Sequence, residues 1–188
     1  MAATYTGNGI APTQTYISST DVSSVTIDIS GSPTSVAYIV GTIGPAALSP
    51  SLFQARYQTS AGTAIQVGYR VNTAFTTASY SSTATSSNTR LNYSNTTGGN
   101  SSTAIGGARN NFIMKINPTS NNANPYATPS IIYNATSPYA SGSIYYTNMI
   151  EYRARVRSNQ EIGQVVFSMY SGPISEHRIR VYHLFGGA

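Results

Sequence analysis

The sequence predicts an all-β protein, an antiparallel two-sheet jelly-roll sandwich with an extended N-terminal arm. Three observations carry that expectation. Apolar residues recur with a period of two along most of the chain, no window of about 12 residues shows a helical period, and Gly and Pro breakers separate the runs. Enrichment in Tyr, Thr, Val and Ile fits a pleated surface. At 188 residues the chain suits one domain, which we place at residues 21–188, behind an arm at residues 1–20.

The elements follow in chain order. The arm, Met1–Thr20, is small and polar and cannot build a core of its own. It either adds a strand to its own sheet or reaches a neighbouring subunit, and Tyr5, Tyr16 and Ile17 are its candidate assembly contacts. Val25, Ile27 and Ile29 alternate with Thr26 and Asp28, and the apolar run Val36–Val40 is strand-sized. A hairpin is expected from Gln54 to Asn72, turning at Ser60-Ala61-Gly62. Residues Thr76–Ala108 read as a long functional loop with one short strand near Thr89–Tyr93. Strand faces recur at Phe112, Met114 and Ile116, at Tyr152, Ala154 and Val156, and at Val165, Phe167 and Met169. The last recurrence, Ile179 and Val181, closes a second expected hairpin, Ile162–Tyr170 to Arg178–Leu184, through Ser171-Gly172-Pro173. Asn117–Pro118, Pro138 and Ser158–Asn159 read as breaks between strands.

Composition narrows the function. The chain has no cysteine and no tryptophan, which excludes a disulfide framework, a thiolate zinc site and a cysteine nucleophile. Only 8% of residues are charged, against about 25% in ordinary soluble domains. The surface is therefore solvated by hydroxyls and amides. The net charge is +5, and the acids are Asp21, Asp28, Glu151, Glu161 and Glu176. Nine of the ten bases are Arg, scattered without a basic run, so the excess reflects few acids and we expect no nucleic-acid partner. No apolar stretch is long enough for a membrane span, and Met1–Pro12 has neither the basic nor the apolar block of a signal peptide. The expectation is synthesis in the cytoplasm and no membrane partner.

The same inventory points away from catalysis. Glu176 and His177 are adjacent, and adjacent strand residues face opposite sides. His177 and His183 share a phase without a third ligand between them, which does not make a metal site. No nucleophile elbow, phosphate loop or zinc-protease signature occurs. We read the chain as non-enzymatic and without a cofactor.

Two groups of residues remain as contact candidates. Arg153, Arg155 and Arg157 project at period two from one strand, a spacing that holds carboxylates or a partner's carbonyls bidentately. Arg178 and Arg180 repeat the pattern, as on a neighbouring strand. The plain alternative is a solvated face balanced by Glu151, Glu161 and Glu176. Tyr80, Tyr93, Tyr126 and Tyr139 fall outside the clear strands and are candidate ligand contacts, since tyrosine offers an apolar ring with a polar tip. The tripeptides at Asn92, Asn95, Asn100 and Asn134 match the glycan acceptor pattern and read as chance in an Asn/Ser/Thr-rich chain.

The C-terminal third carries a family likeness. It runs through Ser141-Gly142-Ser143-Ile144-Tyr145 and Tyr152-Arg153-Ala154-Arg155-Val156 to Ser171-Gly172-Pro173-Ile174 and Ile179-Arg180-Val181-Tyr182-His183-Leu184-Phe185-Gly186. This pattern resembles the jelly-roll modules on virion proteins of tailed bacteriophages, whose last hairpin reads as an apolar strand, Ser-Gly-x-Ile, then Ile-Arg-x-Tyr-x-Leu-x-Gly. Phe53-Gln54-Ala55-Arg56-Tyr57 and Arg109-Asn110-Asn111-Phe112-Ile113 are compatible, so the likeness spans Val22 to Gly186. It departs at Glu176-His177, where such modules place a small residue, and at His183, where they place Gly. The resemblance implies an exterior virion protein, a capsid decoration or head-fibre subunit. Its implied partners are its own copies, as a homotrimer, and the major capsid protein or another virion protein. The alternative it implies is a tail-fibre tip recognising host surface glycans, with Thr76–Ala108 and Tyr126–Tyr139 lining the groove.

Overall fold

A computed structural model of the chain describes residues 12–30, 35–45, 53–74, 79–86, 88–90, 110–117, 130–141, 144–156, 160–169 and 172–185. Twelve strands, and no helix, are found among the described residues. They are β1 (Gln14–Ser18), β2 (Ser24–Asp28), β3 (Ser35–Pro45), β4 (Phe53–Gln58), β5 (Val67–Ala74) and β6 (Ser79–Ser86). The second half adds β7 (Asn88–Arg90), β8 (Asn110–Asn117), β9 (Ser130–Ser141), β10 (Ile144–Val156), β11 (Gln164–Met169) and β12 (Ile174–Phe185).

Eight strands pair in the order β1-β12-β3-β8-β9-β10-β5-β6, and four in the order β2-β11-β4-β7. Every pairing is antiparallel. The period-two pattern explains how the two sheets close on each other. Val25, Ile27, Phe53, Ala55, Tyr57, Val165, Phe167 and Met169 face inward from the small sheet. Ala37, Ile39, Ile43, Phe112, Met114, Ile116, Ala154, Val156, Ile179 and Val181 face inward from the large one. Together they form a single apolar core, each fully buried aliphatic or Phe side chain contributing about 1.5–3 kcal/mol. Three rings tie the layers together. Phe53 and Phe167 of the small sheet lie 5.2 Å apart by centroid, and Phe112 of the large sheet sits 5.7 and 5.3 Å from them. These tilted and offset geometries suit aromatic quadrupoles.

Successive strands change sheet more often than they pair. The chain passes from β1 to β2, β3 and β4 by crossing between layers each time, and it does so again from β11 to β12. Both expected hairpins are therefore arches. At the first, the turn forms as anticipated, with the Thr59 and Ile65 N–H groups donating to Thr63 and Tyr57 carbonyls, both at 2.9 Å. The chain then leaves, and β5 pairs with β10 and β6 instead of β4. At the second, β11 pairs with β2 and β4, while β12 pairs with β1 and β3. Gly172 turns that corner at φ 80°, a left-handed conformation that a side chain disfavours. The physical reason is that two apolar faces joined by a short turn can be buried side by side in one sheet or opposed across a core. Alternation is identical in both cases.

Two further expectations change, and for the arm one of the two expected alternatives is found. The segment read as a loop over Thr76–Ala108 contains β6 at Ser79–Ser86, and its short strand is β7 at Asn88–Arg90. Pro138 does not break the chain but lies within β9, opposite Thr147 of β10. Its lack of an N–H costs little there: the β8 pairing reaches only Thr136, so residue 138 is on a stretch of β9 with one neighbour. Finally, residues 14–18 of the arm form an edge strand of their own sheet, with Tyr16 packed against the core. Residues 1–11 lie outside the described part.

Candidate functional site: the outer face of the large sheet

Because the inner faces are consumed by the core, contact chemistry falls to the outer ones. The register of the large sheet sets its outer side chains in rows. One row runs Thr15, Arg180, Val40, Ile113 across β1, β12, β3 and β8, and continues through the positions of Asn134 and Glu151. The next runs Ile17, Arg178, Thr42, Asn111, where the Thr42 hydroxyl donates to Asn111 Oδ1 at 2.9 Å. A third, on the other side, runs Tyr182, Tyr38, Lys115 and on through the position of Ile132 to Arg153. Neighbouring strands stand about 4.8 Å apart, so Arg180 and Ile113 span about 10 Å with Val40 between them.

Two chemistries meet on this face. Among the described side chains its exposed large aliphatics are Ile17, Ile113 and Val40, exposed by 60%, 51% and 37%. Val40 and Ile113 are directly opposed across β3 and β8. Around them stand exposed Arg178, Arg180, Lys115, Arg153 and Arg155. Lys115 Nζ lies 5.7 Å from the centroid of the Tyr38 ring. Among the described side chains the acid here is Glu176, whose Oε1 is 3.4 Å from Arg178 Nε. Arg70 and Glu151 add one register position of each sign, so the face holds six basic positions against two acidic ones.

The fold distributes the sequence-predicted contacts unevenly. Arg153 and Arg155 point outward from β10, alternating with the buried Ala154 and Val156, and Arg157 lies outside the described residues. Arg178 and Arg180 share that face, but β3, β8 and β9 separate β12 from β10, so the two stripes are not on neighbouring strands. Ile17 is exposed beside Arg178, whereas Tyr16 turns inward and its hydroxyl donates to Gln14 Oε1. Tyr80 falls on β6 and Tyr139 on β9, with β10 and β5 between those strands. Tyr5, Tyr93 and Tyr126 lie outside the described residues. Val40 and Ile113 were missed as contacts, although a signal existed. Ile113 interrupts the alternation of Phe112 and Met114, an apolar residue in the outward phase of a strand.

The two groups whose pKa the fold shifts, His177 and Asp28, lie elsewhere. His177 is 7% exposed on the inner side of β12, opposite Ser18 and Ile43, and burial pushes its pKa below the ordinary histidine value. Glu176 turns the other way, so the two are not an acid/base pair. Asp28 ends β2 by accepting from the Ser30 hydroxyl at 2.6 Å and the Ser30 N–H at 2.9 Å. Those two bonds hold its carboxyl below the usual range, with a lesser contribution from His183. Among the described residues no three His, Asp or Glu side chains gather as a metal site, and no helix is long and apolar enough to cross a membrane.

Comparison with known proteins returns no relative: no family model, no curated protein and no solved structure matches the chain.

Proposed function

We propose that this chain is a non-enzymatic structural protein of a virion exterior, a capsid decoration or head-fibre subunit that self-associates and attaches to the particle. The observation that carries the reading is the strand order. We read the orders β1-β12-β3-β8 and β2-β11-β4-β7, between which the chain crosses repeatedly, as the two four-stranded layers of a jelly roll. On this reading β5–β6 and β9–β10 are two inserted ribbons that widen one layer beyond β8. Jelly rolls are widely used in viral shells. Fold alone does not assign function, so the chemistry of the chain has to agree. It does: a thiol-free body with few charges and a hydroxyl- and amide-rich surface suits a long-lived extracellular particle.

The tether in this reading is shorter than residues 1–20. Because residues 14–18 are held in the sheet as β1, the tether of this proposal is assigned to residues 1–11. Deleting residues 2–11 is expected to leave the fold intact and remove the chain from particles. Deleting residues 2–20 is expected to destabilise the body as well, because it strips the edge strand and Tyr16. Sedimentation of the purified chain together with immunogold microscopy of intact virions tests the whole proposal. The expected result is a trimer and label on the particle exterior. A freely diffusing monomer that is absent from particles, or one with measurable turnover, overturns it.

A further inference from the structure

The outer face of the large sheet has the anatomy of a docking surface, and its charge selects the occupant. We infer that this face binds an acidic protein surface of the particle. The inference rests on the virion reading above and names the surface of attachment and its partner's chemistry. An interface that holds buries an apolar centre inside a charged rim. Here Val40 and Ile113 form the centre, opposed across β3 and β8. Arg180 flanks Val40 in the same row, and Lys115 stands two residues beyond Ile113 on the same face. Arg178 and Arg153 extend the rim on either side.

Three occupants compete for such a face, and the observations separate them. A second copy, set face to face, would bring six basic positions against six, with two acidic positions on each side. Like charges in apposition oppose that pairing. A nucleic acid would satisfy the cations but leave Val40, Ile113 and Ile17 against phosphates and sugars. It also favours clustered bases, whereas these are spread across β12, β8 and β10. An acidic protein surface with apolar residues among its carboxylates satisfies both chemistries at once. The small sheet shows that this is a property of one face. Its described outer charges are Arg56 and Asp28, with Arg90 and Asn88 at register positions, the half-buried Val166 at the centre and Gln, Ser and Thr elsewhere.

The chain supplies its own reporter, since Lys115 is its sole lysine and stands in this rim. Intact virions are treated with a water-soluble carbodiimide, which condenses an amine with a carboxylate in direct contact, and the joined peptides are identified by mass spectrometry. The expected product is an amide between Lys115 Nζ and an Asp or Glu of another virion protein, lost in Lys115→Arg. In parallel, the double variant Lys115→Glu/Arg180→Glu is expected to lower particle occupancy by about tenfold or more at low salt. Both substitutions lie on the outer face, and the circular-dichroism spectrum checks that the body is unchanged. If the chain is on particles but Lys115 reacts with an amine-specific ester as fast as in the isolated chain, the docking face is wrong and the virion reading stands. An amide to a second copy overturns the inference in favour of self-pairing. Protection of Lys115 in the isolated chain by added DNA overturns it in favour of nucleic acid. Absence of the chain from particles removes the virion reading, and this inference with it.

Discussion

The two sheets share one core and diverge on their outer faces. Inward, both alternate in the same way, and the Phe53–Phe112–Phe167 cluster takes two rings from the small sheet and one from the large. Outward, the small sheet presents Ser24, Thr26, Gln164, Gln54 and Gln58 with one described charge of each sign, and its central aliphatic, Val166, is half-buried. The large sheet presents exposed aliphatics within a basic rim. Inner alternation specifies the body, while outward residues are under no packing demand. On the docking proposal above, an apolar or basic bias among them is the mark of contact chemistry.

That contrast is broken most severely at the shared core. Phe167→Ala or Phe112→Ala is expected to cost about 3–5 kcal/mol in urea unfolding, with both sheets lost in a single transition. A change confined to one sheet would mean that the layers are not one cooperative unit. Next is Gly163, whose carbonyl accepts from the Ile29 N–H and whose N–H donates to the Gln58 carbonyl, both at 2.8 Å. An added Cβ there would stand 2.3 Å from the Ser60 backbone nitrogen. Gly163→Ala should destabilise by about 1–3 kcal/mol, read in the same assay, because backbone has to move.

These two experiments probe what the sequence made plain. Residues such as Phe53, Ala55 and Tyr57 announce an inward face through their spacing alone. The layer opposite, or the strand alongside, is not encoded in that spacing, which is why two arches read as hairpins. Strand β6, Ser79–Ser86, is built from Ser, Thr and Ala with one Tyr, so its ladder to β5 rests on backbone bonds that leave no apolar signature. On the candidate face the individual Arg stripes were visible. Their distance across β3, β8 and β9, and the Val40–Ile113 centre between them, depend on register among strands far apart in sequence.

Smaller effects sharpen the comparison through pH. The folded chain disfavours a charged His177, so the unfolded chain takes up that proton first as pH falls. Stability is therefore full above about pH 6.5 and declines below it until the folded imidazole also titrates. His177→Met should flatten this part of a pH–stability curve measured by thermal unfolding. Asp28 works in the carboxylate range. Its lowered pKa contributes stability above about pH 3.9 that is lost as pH falls through the folded value, and because the exposed carboxylate is screened by water and Asn keeps an acceptor oxygen, Asp28→Asn should remove less than about 0.5 kcal/mol at neutral pH. Least of all, Ile113→Thr on the large sheet should change unfolding free energy by less than about 0.5 kcal/mol while weakening particle attachment. Val166→Thr at the centre of the small sheet's outer face should leave attachment as it was.

The pairing of the first strand with the last sets how the molecule bears load. Gln14 lies opposite Val181 and Ser18 opposite His177, so the polypeptide enters β1 and leaves β12 at the same end of the ladder. Tension between the two ends then peels that ladder rung by rung instead of loading its rungs together. The seam at β1 yields first under pull, while the body behind it, closed by β12 against β3, keeps its shape.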